Sequence, residues 1–426
     1  MVALERRFLT IVLCWTLLSA GVARYQKSSF RTFPREELVP LAAAYGLALE
    51  HYAAQNWTES ISHMERSLRL HRLQRDSERY CIKHCNDTRS DGEPSFSGDL
   101  DLGVYWHVMI RASCLTKCRS HFPILSLPYP SKEMMEDFDR RLPYRYLYFA
   151  HSKLNDLQSA VPCAHTYLQK NLDDQEMNRL MEEHKSQYDL SGYLVDYEER
   201  PYEGSFLKAV TLISSGDYSS SIDHMEKALR LYFKEYDMCQ AECEGTNRPS
   251  QVKDLYPVLA AVYTEALKCK LKCEEKLMPN IGGYVVEKFV ATIYHYLQYA
   301  YYKLNDGCRA VPCASSYVLF EPEDQVMKQN LLYYQAYSQQ WGLQSNHFGP
   351  RKEALRYYNL TVIQKQMLVF AEKYSHLDDE EFFGPEEAAL VAPDSPDVEF
   401  EGVGDYEESI YAKWSQPEGK GDTGVS

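Results

Sequence analysis

The 426-residue chain has no Lys/Arg-rich run, which removes the electrostatic footprint that nucleic-acid binding requires. It has no Cys-x2-Cys pair, so thioredoxin-like redox chemistry is not expected. His-Glu-x-x-His, a glycine-rich phosphate loop and a nucleophile elbow are missing too, which excludes the metalloprotease, nucleotide and hydrolase sites they build. Beyond the first 23 residues, no stretch reaches the about 20 apolar residues needed to cross a bilayer.

What is present at the start is a targeting pattern. Arg6 and Arg7 precede the apolar run Phe8 to Leu18, which gives way to small residues at Gly21-Val22-Ala23. A short positive region, a short apolar run and a small-x-small site predict a signal peptide over 1–23. The mature chain is then expected to be soluble, and lumenal or secreted. Three sequons agree, at Asn56, Asn86 and Asn359. Asn86 lies in a polar, loop-like stretch, whereas Asn56 begins a helix and has a plain alternative role as a cap.

The net charge of −15 is unevenly spread, because thirteen carboxylates fall between Asp378 and Glu408 with no Lys or Arg among them. Removing those thirteen leaves the remainder near −2, so the acidity belongs to a tail. The tail, 376–426, has little aliphatic content and holds Pro385, Pro393 and Pro396, so it is expected to be disordered. Within it Phe400, Tyr406, Ile410, Tyr411 and Trp414 interleave with acidic residues. Two readings stand: a solubilising tail that binds calcium weakly, or a linear motif anchored by Tyr406, Tyr411 and Trp414 in a partner's basic groove.

An internal duplication sets the architecture. YRYLYFAHSKLND at 144–156 and YHYLQYAYYKLND at 294–306 agree at eight of thirteen positions, at an offset of 150. AVPCA recurs unchanged at 160–164 and 310–314, and ISHMERSLRL (61–70) pairs with IDHMEKALRL (222–231) at an offset of 161. Trp57, Ile61, Met64 and Leu68 fall on one helix face, as do Tyr218, Ile222, Met225 and Leu229. Short polar breaks at Gln55-Asn56, Gly216-Asp217, Asn155-Asp156 and Asn305-Asp306 separate amphipathic segments, the tetratricopeptide pattern of helix, turn and helix. The 34 tyrosines suit wedges between stacked helices. The expected fold is all-α: two tandem tetratricopeptide-like units forming an α-solenoid, disulfide-stapled, with an acidic tail. The expected bounds are 24–187 for the first unit, 188–201 for a linker and 202–375 for the second unit with its C-terminal helix. Pro162 and Pro312 are expected to kink a helix or delay its start.

Eight cysteines form four Cys-x3-Cys pairs: Cys81/Cys85, Cys114/Cys118, Cys239/Cys243 and Cys269/Cys273. The spacing places both sulfurs of a pair on one side of a helix, one turn apart. Antiparallel helices would match Cys81 to Cys118, Cys85 to Cys114, Cys239 to Cys273 and Cys243 to Cys269. An oxidising lumen favours disulfides, while four thiolates could also hold zinc. Cys163, Cys308 and Cys313 are left over, and the odd total leaves at least one thiol unbridged within the chain.

The search for catalysis finds fragments only. His376-Leu377-Asp378 opens like a non-haem iron triad, but His376 is the last histidine of the chain, so the second His is missing. His63-x-Glu65 and His224-x-Glu226 sit off the apolar stripes and read as solvated helix faces. Gly282-Gly283 reads as a helix–helix turn. No catalytic residue, metal ligand or cofactor is assigned.

SSFRTFPREEL (28–38), SLRLHRLQRDSE (67–78), IGGYVVEKFVATIYHYLQYAYYKLND (281–306) and VMKQNLLYYQ (326–335) resemble the leprecan family, over roughly residues 24–375. That family contains the collagen prolyl 3-hydroxylases and non-catalytic relatives. EFEGVGDYEESIYAKW (399–414) resembles the tail of one non-catalytic branch. Catalytic members add a C-terminal dioxygenase domain for which this sequence has no room after its helical body. The resemblance therefore implies a scaffold in the endoplasmic reticulum rather than an enzyme. It implies association with a prolyl 3-hydroxylase and a lysyl hydroxylase that modify collagen lysines before fibril assembly and cross-linking. Whether collagen chains are touched directly is left open. With Thr-Gly-Val-Ser in place of a retrieval signal, retention is expected to come through a partner. The alternative within the family is a helper of prolyl 3-hydroxylation acting with a cyclophilin. A nuclear structural role, as in the synaptonemal complex, is opposed by the leader, the sequons, the paired cysteines and the want of a long heptad run.

Overall fold

The computed structural model describes residues 33–87, 100–190, 192–244, 255–281 and 284–375. The expectations for the leader, Gly282-Gly283, His376 and the tail with Tyr406, Tyr411 and Trp414 lie outside the described residues.

The first copy comprises α1 (Leu41–Ala53), α2 (Trp57–Asp87), α3 (Leu100–Ser120), α4 (Lys132–Asp139), α5 (Leu142–Lys153), α6 (Leu157–Leu168) and α7 (Gln175–Gln187). The second comprises α8 (Pro201–Ser214), α9 (Tyr218–Glu242), α10 (Leu255–Leu271), α11 (Cys273–Lys276), α12 (Phe289–Lys303), α13 (Gly307–Phe320) and α14 (Gln325–Ala336), followed by α15 (Lys352–Ser375). A two-residue antiparallel pair, β1 (Asn280–Ile281) with β2 (Tyr284–Val285), is the only strand pairing among the described residues. It flanks the position read as a plain interhelical turn. The architecture is the all-α, disulfide-stapled, tetratricopeptide-like one. By its packing the chain divides into one compact unit through Lys365 and a second from Gln366, with the boundary inside α15.

Each helical pair turns in the same way in both copies. The residue closing α1 is Gln55 at φ 60° and its counterpart after α8 is Gly216 at φ 85°; Asn155 (56°) and Asn305 (57°) do this between α5/α6 and α12/α13. A left-handed residue ends a helix and lets the chain reverse, and Asn and Gly tolerate it best. The following helix is capped by Asp156, Asp217 or Asp306, whose side chain accepts the backbone N–H three residues on. Asp174 and Asp324 cap α7 and α14 likewise, and accept from Tyr167 Oη at 3.0 Å and Tyr317 Oη at 2.8 Å. Ser60 and Ser221 donate across the first pair to Ala48 O and Ala209 O, at 3.0 and 2.8 Å.

Pro162 and Pro312 do not delay the helix start. Their helices begin at Leu157 and Gly307, because in both copies an Asp cap six residues before the proline fixes the first turn.

Two apolar cores result, one per copy. Ile61, Met64 and Leu68 bury against Tyr144, Leu147 and Val161 in the first, and Ile222, Met225 and Leu229 join Tyr294, Leu297 and Val311 in the second. Each such side chain contributes about 1.5–3 kcal/mol on burial. Between the cores the stretch expected to be a linker is bonded down. Arg141 Nη1 donates to Asp196 at 3.0 Å, Thr166 Oγ1 donates to Val195 O, and Tyr197 N donates to Thr166 Oγ1. Arg72 Nη2 lies 2.8 Å from Glu198 Oε1, which also accepts from Tyr144 Oη at 2.8 Å. Burial pushes the Glu198 carboxyl up, yet Arg72 and Arg75 outweigh it and hold it at about 2. From α2 to α9, Arg79 reaches Glu235 Oε2 and Glu242 Oε1, both at 2.6 Å.

Candidate docking surfaces and the stapled hairpins

In each copy a long helix and the arm after it form a hairpin held by two disulfides. The structure joins Cys81 to Cys118 and Cys85 to Cys114 between α2 and α3. It joins Cys239 to Cys273 and Cys243 to Cys269 from α9 to α10 and α11. Among the described residues the one group spaced like a metal site is Cys239, Cys243 and Cys273, whose sulfurs lie within 4.8 Å of one another. Those sulfurs are bonded in pairs, and a disulfide sulfur carries no thiolate charge to give a zinc ion. Cys163 and Cys313 are buried and unbridged, while Cys308 is exposed. Burial pushes the Cys313 thiol up to about 12, with Arg351 Nη1 3.7 Å from its sulfur.

The two His-x-Glu fragments do not come together as ligand sets. His63 stacks its ring on His51 at 5.3 Å and lies 4.0 Å from Glu59, not from a second carboxylate–histidine pair. His224 lines a cleft of about 350 Å³ with Glu199, Arg200, Lys208 and Lys227. The reading of Glu226 as a solvated surface residue is corrected here. Its carboxylate turns inward and accepts from Arg351 Nη1 at 2.6 Å, Arg351 Nη2 at 2.9 Å and Tyr301 Oη at 3.0 Å. An ion pair so engaged is structural, and it leaves the Glu226 carboxylate occupied by Arg351 and Tyr301.

The surfaces that stand out are aromatic. On the second copy Tyr302 and Tyr334 each meet Trp341, at 5.8 and 5.6 Å between ring centroids, and Tyr333 meets Tyr337 at 4.8 Å. Tyr334 is buried and accepts from Gln298 Nε2 at 2.9 Å, whereas Tyr302, Tyr333 and Tyr337 present edges to solvent. On the stapled arms, Tyr105 and Met109 of α3 are 65% and 67% exposed, and Tyr256 and Tyr263 of α10 are 82% and 62% exposed. Monomeric proteins seldom leave such clusters open without use. The arms meet at Glu244, which accepts from Arg111 of α3 at 2.5 Å and Lys270 of α10 at 2.7 Å.

The model of the leprecan family TPR-like repeat region matches residues 40–338, which takes in most of both cores and both stapled hairpins. The chain belongs to the leprecan family. It is 45% identical to endoplasmic reticulum protein SC65 of Rattus norvegicus over 427 residues, covering 96% of this chain and 96% of that protein. It is 46% identical to cartilage-associated protein of Homo sapiens over 366 residues, 85% of this chain and 91% of that one. Prolyl 3-hydroxylase 1 of Homo sapiens is 33% identical over 342 residues, 75% of this chain but 45% of that protein.

Within this leprecan body the sequon asparagines Asn56, Asn86 and Asn359 are all exposed: at the α1–α2 turn, near the end of α2 and on α15. Among the described residues no helix is long and apolar enough to cross a membrane. The open stripe on α3 is a feature the sequence reading missed. The signal was there: LGVYWHVMI at 102–110 carries no Asp, Glu, Lys or Arg, and a helix without a polar face is either buried or an interface.

Proposed function

We propose that this chain is a non-enzymatic scaffold of the endoplasmic reticulum lumen that holds a prolyl 3-hydroxylase and a lysyl hydroxylase together. In that role it supports collagen lysine hydroxylation, and through it fibril assembly and cross-linking. One comparison carries the reading. The likeness to endoplasmic reticulum protein SC65 runs over nearly the whole of both chains, whereas the match to prolyl 3-hydroxylase 1 covers less than half of that enzyme. What this chain shares with the enzyme is thus a helical repeat body, whose stacked helices suit binding rather than bond-making. The comparable identity to cartilage-associated protein favours a second reading, a helper of prolyl 3-hydroxylation working with a cyclophilin.

The proposed organisation is a leader at 1–23, helical units at 24–187 and 202–375 joined through 188–201, and an acidic tail at 376–426. Glycans are proposed on Asn86, Asn359 and Asn56, and partner contact on Tyr406, Tyr411 and Trp414. Affinity purification from a collagen-secreting cell should recover both hydroxylases. The purified chain, supplied with iron, ascorbate and 2-oxoglutarate, should hydroxylate no collagen peptide. Recovery of a cyclophilin and a prolyl 3-hydroxylase without the lysyl enzyme would select the second reading, and hydroxylation by the chain alone would refute both.

A further inference from the structure

The stapled arms α3 and α10 are built alike in the two copies, and both keep an open apolar stripe. On α3, Tyr105, Val108 and Met109 follow the spacing of one helix face, with Ile110 beside them at 42% exposure. On α10, Tyr256 and Tyr263 lie two turns apart. The α3 arm is fixed to α2 by two disulfides, and α10 is fixed by Cys269 directly and by Cys273 of the adjoining α11, so the stripes are displayed by a rigid support.

We propose that these two stripes form one self-complementary interface through which a second copy of this chain binds. Three observations favour that occupant. The six residues together leave roughly 700 Å² of mostly apolar surface in water, close to the about 800 Å² that each partner gives to a specific interface. Between residues 102 and 110 the only titratable side chains are Tyr105 and His107, and 256–263 carries no Asp, Glu, Lys or Arg. Two copies therefore meet without facing like charges, as an isologous contact requires. Among the described residues the cations that follow the stripes, Arg111, Lys268 and Lys270, are engaged by Glu244 or Glu265, so they are not spare charges for an anionic lipid surface. Glu244 also brings the two arms together, so that they act as one patch.

The test is sedimentation velocity on the full glycosylated chain over a concentration series. The expected result is a reversible dimer. Met109→Asp and Tyr256→Asp should each weaken it about tenfold or more, and the double variant should run as a monomer with an unchanged melting temperature. Val108→Cys should trap the dimer covalently under mild oxidation. A wild-type chain that is monomeric throughout, or that is monomeric yet floats with phosphatidylserine vesicles, overturns the proposal. So does a dimer that survives both aspartates. None of these outcomes depends on hydroxylase binding, which separates this proposal from the scaffold reading.

Discussion

Arg351 grips Glu226 through two parallel hydrogen bonds of 2.6 and 2.9 Å, joining residues 125 apart in sequence. This ties the start of α15 to the face of α9 and closes the second core. Burial alone would push the Glu226 carboxyl up, but the Arg351 bonds and charge outweigh it and leave it below its usual value.

Arg351→Gln should therefore cost about 2 kcal/mol, since it leaves a half-buried carboxylate without its bidentate partner. Glu226→Gln combined with Arg351→Gln should cost less than the two single changes added, which a double-mutant cycle by urea unfolding would measure. Because the folded-state value lies below the unfolded 4.5, the pair's contribution is full above that pH and lost as pH falls through the folded value. Additive costs would show that the contact is idle.

The staples give a second prediction. The four bridges span 37, 29, 34 and 26 residues, and each alone is worth about 3–4 kcal/mol in the chain-entropy model. Within a nested pair the second bridge closes a far smaller ring, so Cys85→Ser with Cys114→Ser should cost about 2–3 kcal/mol while Cys81–Cys118 remains. Peptide mapping without reductant checks the connectivity, and eight free thiols would sink it.

Glu203 makes a pH-dependent joint. Its carboxylate accepts from Arg200 N at 2.6 Å at the start of α8, and burial pushes it up to about 7 despite that bond. A folded-state value above the unfolded 4.5 means that the proton binds the folded form more tightly. Stability from this group is thus full below about pH 4.5 and is lost as pH rises through about 7, on the order of 2 kcal/mol. Glu203→Gln should flatten the melting temperature between pH 5 and pH 8; a wild-type slope retained in the variant would place the effect elsewhere.

For the tail, Trp414→Ala is expected to reduce hydroxylase co-purification while leaving the melting temperature of the body unchanged. Truncation after Tyr374 should likewise spare the melting temperature. Loss of co-purification on truncation but not on Trp414→Ala would assign the effect to the thirteen carboxylates as a group.

The repeat, its helical turns and the cysteine pairing partners are written in local spacing, so they are legible in the sequence. Asn155-Asp156 and Asn305-Asp306 announce both the left-handed turn and the cap that follows it. What spacing does not carry is contact between distant segments. Glu226 looks like one more carboxylate on a polar face until Arg351 arrives from beyond five intervening helices. One of the two expected proline effects, the delayed start, fails for a related reason: Pro162 speaks only for its own turn, while Asp156 decides where the helix begins. The open stripe of α3 was hidden because an apolar run looks the same in sequence whether its partner is inside the chain or outside it.

The joint between the copies also bears on how many can be stacked. Two residues before the first staple cysteine stands Arg79 in the first copy, where it holds Glu235 and Glu242 of the second. The same place in the second copy is Asp237, which meets Arg356 of α15 instead. The duplicated docking position has reversed its polarity. A third module built like the second and added in the same way would set its own glutamates against Asp237, carboxylate facing carboxylate. The array is thus addressed for one succession only, and α15 occupies the place where concatenation would otherwise continue.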